Sequence, residues 1–206
     1  MAELVHLVDL GVGNAGSVEN MLLRAGGRVQ RVSQPAELAD AKKVLLPGVG
    51  SFDTMVKKLD EAGFRQPLHE YVDRGGHILG ICLGMQLLAN SSEEGRLPGL
   101  GLISGQVRRF SFDGEATKFK VPHMGWNSVT PAHVHPLTAG LEKDARFYFV
   151  HSYYFDCDCH EDRLLSTTYG RQFTSGVQKG RVMGVQFHPE KSHRYGMRLL
   201  SNFLGL

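Results

Sequence analysis

The fold is decided by HILGICLGMQLLANS, residues 77–91. Ile78, Leu79 and Ile81 make an apolar run of strand length, while Met85, Leu87 and Leu88 are spaced to open a helix. Cys82 lies at the joint, with Gly80 two residues before it and Gly84 two residues after, in the form G-x-C-x-G. A sharp strand-to-helix turn crowds those two positions, so both must be very small. The residue between them is held in a sparsely populated backbone region and projects into a cleft. The positive end of a following helix would favour thiolate over thiol, and the Leu83 amide would point the same way, toward an oxyanion. The pentapeptide alone also suits a small core cysteine whose glycines merely permit close packing.

Outward from this joint, the first ninety residues alternate strand and helix patterns. LVHLVDL, RVQRV and KKVLLPG read as strands; SVENMLLRAGG, the stretch from Ser51 to Ala62, and QPLHEYVDRGG read as helices. Repeated β-then-α order implies right-handed crossovers. The expectation is an α/β fold: one open, mainly parallel twisted sheet with flanking helices. From Leu100 onward the segments are strand-like with Gly and Pro punctuation, predicting an antiparallel β extension. VQKGRV reads as a hairpin turning at Lys179-Gly180, and YGMRLLSNFLGL as a closing helix. No linker or repeat interrupts this course, so residues 1–206 are expected to form one domain.

The composition is that of an ordinary globular chain: 206 residues, 42% apolar, 21% charged, net charge +2. A charge this near neutral gives no reason to expect nucleic acid or an anionic membrane as partner. No apolar run approaches a membrane span, no leader is read at the start, and three cysteines make no disulfide framework. The expected location is cytoplasmic.

A cysteine nucleophile needs a base. Among ten histidines, His188 stands out because it follows the apolar run VMGVQF and opens HPE. In extended chain, residues i and i+2 project to one side about 6–7 Å apart, so Glu190 could orient the His188 ring and complete a nucleophile–base–orienter set. A second donor loop is expected at PGVG, Pro47–Gly50, because ligands collect at the carboxyl ends of parallel strands. Val49 is the candidate amide. Gly48 and Gly50 would let the Gly48–Val49 peptide turn over.

GICLGMQLL around Cys82 and GVQFHPEKS around His188 and Glu190 resemble class I, or triad, glutamine amidotransferases. More narrowly, DLGVGNAGSV, LPGVGSF, PHMGWN, FVHSYYF and SGVQKG occur in order where the glutaminase subunits of imidazole glycerol phosphate synthases have similar segments; Leu10 stands where that family often has an aromatic. The resemblance implies that Cys82 attacks the side-chain amide of glutamine, with His188 and Glu190 as its partners and no cofactor or metal. It implies that Gly50, Gln86, His151, Ser152 and Tyr153 hold glutamine. It also implies a (β/α)₈-barrel synthase subunit as partner, facing Asn14, Trp126, Tyr148 and Lys191, which would receive ammonia to make imidazole glycerol phosphate and aminoimidazole carboxamide ribotide.

Rival readings are weaker. Gly11-Val12-Gly13-Asn14-Ala15-Gly16 fits a dinucleotide fingerprint, but Arg31-Val32-Ser33 stands where the ribose-binding acid belongs. CDCHED, residues 157–162, lacks a second spaced cysteine pair for a metal, and alternation would put Cys157 and Cys159 on one face as ordinary strand cysteines. An independent cysteine amidohydrolase and a glutaminase subunit of another pathway remain as alternatives. A catalytically idle module conflicts with the intact Cys82, His188 and Glu190 set.

Overall fold

Three apolar segments form the middle of the sheet, and their composition explains why. KVLLPG of β3 (Lys43–Gly48) and VMGV of β13 (Val182–Val185) are buried at every residue, and HILGIC of β4 (His77–Cys82) is buried after its first. Continuous apolar runs of this kind belong to strands covered on both faces. The computed structural model describes residues 2–12, 14–112, 119–141 and 144–206. In its first half, β1 (Leu4–Val8), α1 (Ala15–Arg24), β2 (Arg28–Val32), β3, α2 (Phe52–Glu61), α3 (Arg65–Asp73), β4 and α4 (Leu83–Gln86) follow the expected alternation. Then come β5 (Ser91–Ser92), β6 (Gly105–Arg109), β7 (His123–Ser128), β8 (Thr130–Pro131), β9 (Arg146–His151), β10 (Tyr153–Cys157), β11 (Arg163–Tyr169), β12 (Arg171–Lys179), β13 and α5 (His193–Leu204).

The main sheet has the order β2-β1-β3-β4-β13-β12-β10-β6-β5, with β11 and β8 branching from β12. Strands β2, β1, β3, β4 and β13 run parallel, and β12, β10 and β11 continue it antiparallel. This is the expected parallel sheet with its antiparallel extension. Strands β7 and β9 pair separately. Alternation divides the core in two. Leu45, Leu79, Ile81 and Val185 meet Val18 and Leu22 of α1 and Leu199, Leu200 and Phe203 of α5. Val44, Leu46 and Ile78 meet Phe52, Met55, Val56 and Leu59 of α2 and Leu68 and Tyr71 of α3, with Leu10 packed against that side.

Two expectations need correction. The β12–β13 hairpin turns at Gly180-Arg181, one residue later than read, because Lys179 still pairs with Val182 and Gly180 carries the positive φ (+58°) of the first turn position. The helix after Cys82 is a single turn. The carbonyls of Leu87, Leu88 and Ala89 accept from the amides of Leu100, Ile103 and Gly101 at 2.7, 3.0 and 3.0 Å. Carbonyls captured by another segment cannot extend a helix.

The glycines at the strand–helix joint include a position with no room for a side chain. A Cβ at Gly84 would lie 1.8 Å from the Leu46 carbonyl oxygen, whereas one at Gly180 would meet nothing within 4 Å. Gly84→Ala is therefore expected to cost on the order of 3 kcal/mol by overpacking. Gly180→Ala carries only the positive-φ penalty of about 1–2 kcal/mol. Denaturant unfolding of both variants checks the order; equal losses would mean that the β3–α4 contact relaxes freely.

Candidate active site

Cys82 ends β4 with φ +55° and ψ −111°, a conformation that persists only where the surroundings fix it. Here they are closely approaching stretches of backbone. A Cβ at Gly80 would lie 2.5 Å from the Gly84 carbonyl oxygen, and one at Gly48 would lie 2.7 Å from the Gly84 nitrogen. Gly48 pairs in register with Cys82, so the end of β3 lies directly beside the elbow. The expected crowding around G-x-C-x-G is therefore present. The helix-dipole contribution is much smaller than expected, because one turn of helix has few peptide dipoles to sum.

His188 arrives through the hairpin. Strand β13 returns beside β4 with Gly184 opposite Gly80 and Val185 opposite Ile81, so the chain leaves the sheet next to Cys82. The His188 amide donates to the Tyr148 carbonyl at 2.9 Å, and the Ser192 hydroxyl donates to the His188 carbonyl at 2.6 Å. The ring Nδ1–H donates to Glu190 Oε1 at 2.8 Å. Glu190 reaches it from a short 3-10 turn, Pro189–Lys191, rather than from extended chain; the Lys191 amide closes that turn on the His188 carbonyl at 3.1 Å. Burial alone would push the His188 imidazolium down, but hydrogen bonds to Cys82 and Glu190 and the attraction of both groups raise it to about 9. The buried Glu190 carboxylate also accepts from the Asn14 amide through Oε1, while its Oε2 has no hydrogen-bond partner among the described residues. Asn14, expected on a partner-facing surface, thus spends its side chain on Glu190.

Beside Cys82 opens a cavity of about 370 Å³, a size that suits a small metabolite. Val49, Gly50, Leu83, Gln86, His151, Ser152, Tyr153 and Lys191 all line it with Cys82 and His188. Gly48 does not; it packs behind the lining, and Gly50 carries the positive φ of the loop, +99°. Glu94 also lines the cavity, accepts from the Phe52 amide at 2.9 Å, and has its carboxyl raised by burial. Sequence reasoning missed it, since SSEEG carries no pattern that marks one glutamate.

A second missed feature supports the floor. Asn127 Nδ2 donates to Thr168 O and lies 3.2 Å from His123 Nε2; His123 Nδ1 lies 3.0 Å from His151 Nε2, and His151 Nδ1 lies 2.6 Å from the Tyr153 carbonyl. Donor must follow donor along this chain, so both rings are neutral with the proton on Nδ1. Burial pushes His123 down to about 4 and His151 to about 3. Of the two cavity histidines, only His188 is charged near neutral pH.

Trp126, Tyr148 and Lys191 cluster on one side of the site. The Trp126 and Tyr148 rings meet edge-on at 6.3 Å, Lys191 Nζ lies 5.6 Å over Tyr148, and Trp126 is 41% exposed. Cys157 and Cys159 do not share a face: β10 ends at Cys157, which is buried with its thiol pushed up to about 12 by burial, and Cys159 is exposed. No three His, Cys, Asp or Glu side chains among the described residues are grouped to hold a metal. Gly13 of the glycine-rich turn lies outside the described residues, and Arg31 pairs with Glu19 and Asp9. No helix among the described residues is long and apolar enough to cross a membrane.

The chain matches the family model described as "Glutamine amidotransferase class-I" over residues 6–205. It is 46% identical to imidazole glycerol phosphate synthase subunit HisH 2 of Methanococcus maripaludis, with 98% of each chain covered. It is 48% identical to subunit HisH of Gloeobacter violaceus, with 97% of this chain and 88% of that one covered. Among solved structures, PurLQS from Thermotoga maritima superposes with a TM-score of 0.79 at 20% identity, covering 100% of this chain and 99% of the other, a likeness of fold. The chain belongs to the class-I glutamine amidotransferase family and, within it, to the HisH subunits of imidazole glycerol phosphate synthase.

Proposed function

We propose that residues 1–206 act as one domain that hydrolyses glutamine to glutamate and ammonia and delivers the ammonia to a (β/α)₈-barrel synthase subunit in histidine biosynthesis. The observation that carries this reading is His188, held by Glu190 at 2.8 Å, beside a cysteine at φ +55° in a cavity of metabolite size. Cys82 attacks the carboxamide carbon, and the amides of Leu83 and Val49 receive the oxyanion. His188 protonates the departing ammonia, leaving a glutamyl thioester, and then takes a proton from the water that hydrolyses it. Glu94 offers a carboxylate to the ammonium end of glutamine, and Gly50, Gln86 and the His151–Tyr153 strand hold the rest. No step calls on a metal or cofactor.

Ammonia is mostly protonated in bulk water near neutral pH, so productive transfer needs an enclosed path to a docked partner. The exposed Trp126 with Tyr148 and Lys191 is the surface assigned to that partner. Glutaminase assay of the chain with and without the synthase subunit and its nucleotide separates this reading from an independent amidohydrolase, which would be fully active alone.

Cys82→Ala is expected to abolish glutamate release while ammonium-dependent synthesis by the complex stays intact; retained turnover would remove Cys82 as nucleophile. Val49→Pro deletes one proposed oxyanion donor and is expected to lower glutamine-dependent synthesis by a factor of hundreds, equivalent to about 3–4 kcal/mol, with ammonium-dependent synthesis near normal. An unchanged stimulated rate in a docked Val49→Pro complex would exclude the loop from the oxyanion site.

The pH dependence follows from His188. Its proton is held up to about 9, so kcat/KM for glutamine should fall above that pH. Glu190→Gln removes one of the influences that raise it and should move the alkaline limb to lower pH. Because the folded value lies above the ordinary 6.5, the imidazolium's contribution to stability is full below 6.5 and is lost as pH rises through about 9. Urea titrations across that window should show the loss, reduced in Glu190→Gln.

A further inference from the structure

We infer that Gln186 is a further catalytic residue: its side-chain amide donates a hydrogen bond to the Cys82 sulfur and favours the charged form of the nucleophile. The inference rests on Cys82 being that nucleophile.

Gln186 is fully buried, two residues before His188, where an amide side chain must find partners. The hydrogen bonds fix which end faces which way. Gln86 Nε2 donates to the Tyr153 carbonyl at 3.2 Å and to Gln186 Oε1 at 3.0 Å. The Tyr153 carbonyl can only accept, so the Gln86 amide is oriented, and Gln186 must present its oxygen to Gln86. Its Nε2 is left facing Cys82 Sγ at 3.8 Å, within reach for a sulfur acceptor. A donor gains more from a charged acceptor than from a neutral one. The sulfur is charged before attack and again when the thioester releases it, so this donor acts at both ends of the reaction. The charge of His188 is drawn to the same sulfur, which therefore faces two groups of different kind: one that moves its proton and one that does not.

The test is the pH profile of Cys82 alkylation by iodoacetamide in the complex with the synthase subunit, read by peptide mass spectrometry. Exposed Cys159 serves as an internal standard. Gln186→Met keeps volume and burial but removes the donor. It should lower the reactive fraction near neutral pH about tenfold, moving the inflection up by about one unit. Gln186→Glu keeps the acceptor that Gln86 uses but replaces the donor with a charge of the wrong sign. It should move the inflection at least as far, with kcat down about tenfold or more and KM for glutamine within about twofold. If Gln186 only oriented Gln86, the Glu variant would restore the parent profile, and that result would overturn the inference. So would a lowered melting midpoint in Gln186→Met with a superimposable alkylation profile. A parent protein whose Cys82 alkylates with the profile of Cys159 would instead overturn the triad reading, and this inference with it.

Discussion

Everything at the reactive end of this molecule depends on the contact between Gly84 and the carbonyl of Leu46. Two stretches of backbone approach so closely there that no side-chain atom fits, with a Cβ placed only 1.8 Å from the oxygen. That contact presses the start of α4 against the end of β3, and Cys82 takes its positive φ in consequence. A residue held in such a conformation costs of order 1–3 kcal/mol, which the surrounding parallel strands must over-determine. They do so through the in-register β3–β4 ladder, which runs as far as Gly48 and Cys82. The strained cysteine is thus a product of how the start of α4 packs against the end of β3.

Around that fixed sulfur, burial sorts three histidines into two kinds. His151 and His123 are buried without a charged partner, and desolvation makes them neutral: His151 lines the cavity, and His123 hydrogen-bonds it from behind. His188 is as deeply buried but faces Cys82 on one side and Glu190 on the other, and their combined attraction exceeds the desolvation cost. One proton therefore has one defined home in the site. Asn14 adds a donor to the Glu190 carboxylate, so a loop from the far side of the chain also supports the orientation of the ring.

The alternating first half, the G-x-C-x-G elbow and the His188–Glu190 pair were legible because each is a local pattern: apolar period, small residues at fixed offsets, two chemical groups two residues apart. What was illegible depends on distant segments. The brevity of α4 is set by amides at residues 100–103, which no window around Cys82 contains. Glu94, His123 and Gln186 are ordinary residues in their own neighbourhoods and gain meaning only from what the sheet brings to them. The His188–Glu190 contact was foreseen for the wrong conformation: Pro189 opens a tight turn, and the carboxylate reaches the ring from there.

The placement of β13 has a consequence in time. Its residues lie beside β4, yet Gln186 and Cys82 are 104 positions apart in the chain. At roughly 5–20 residues per second, the ribosome needs about 5–20 seconds to add that much chain. Throughout that interval the cysteine has been made but its base has not. The nascent chain therefore carries an ordinary thiol, and the chemical hazard of an activated sulfur begins only when the hairpin inserts its second strand.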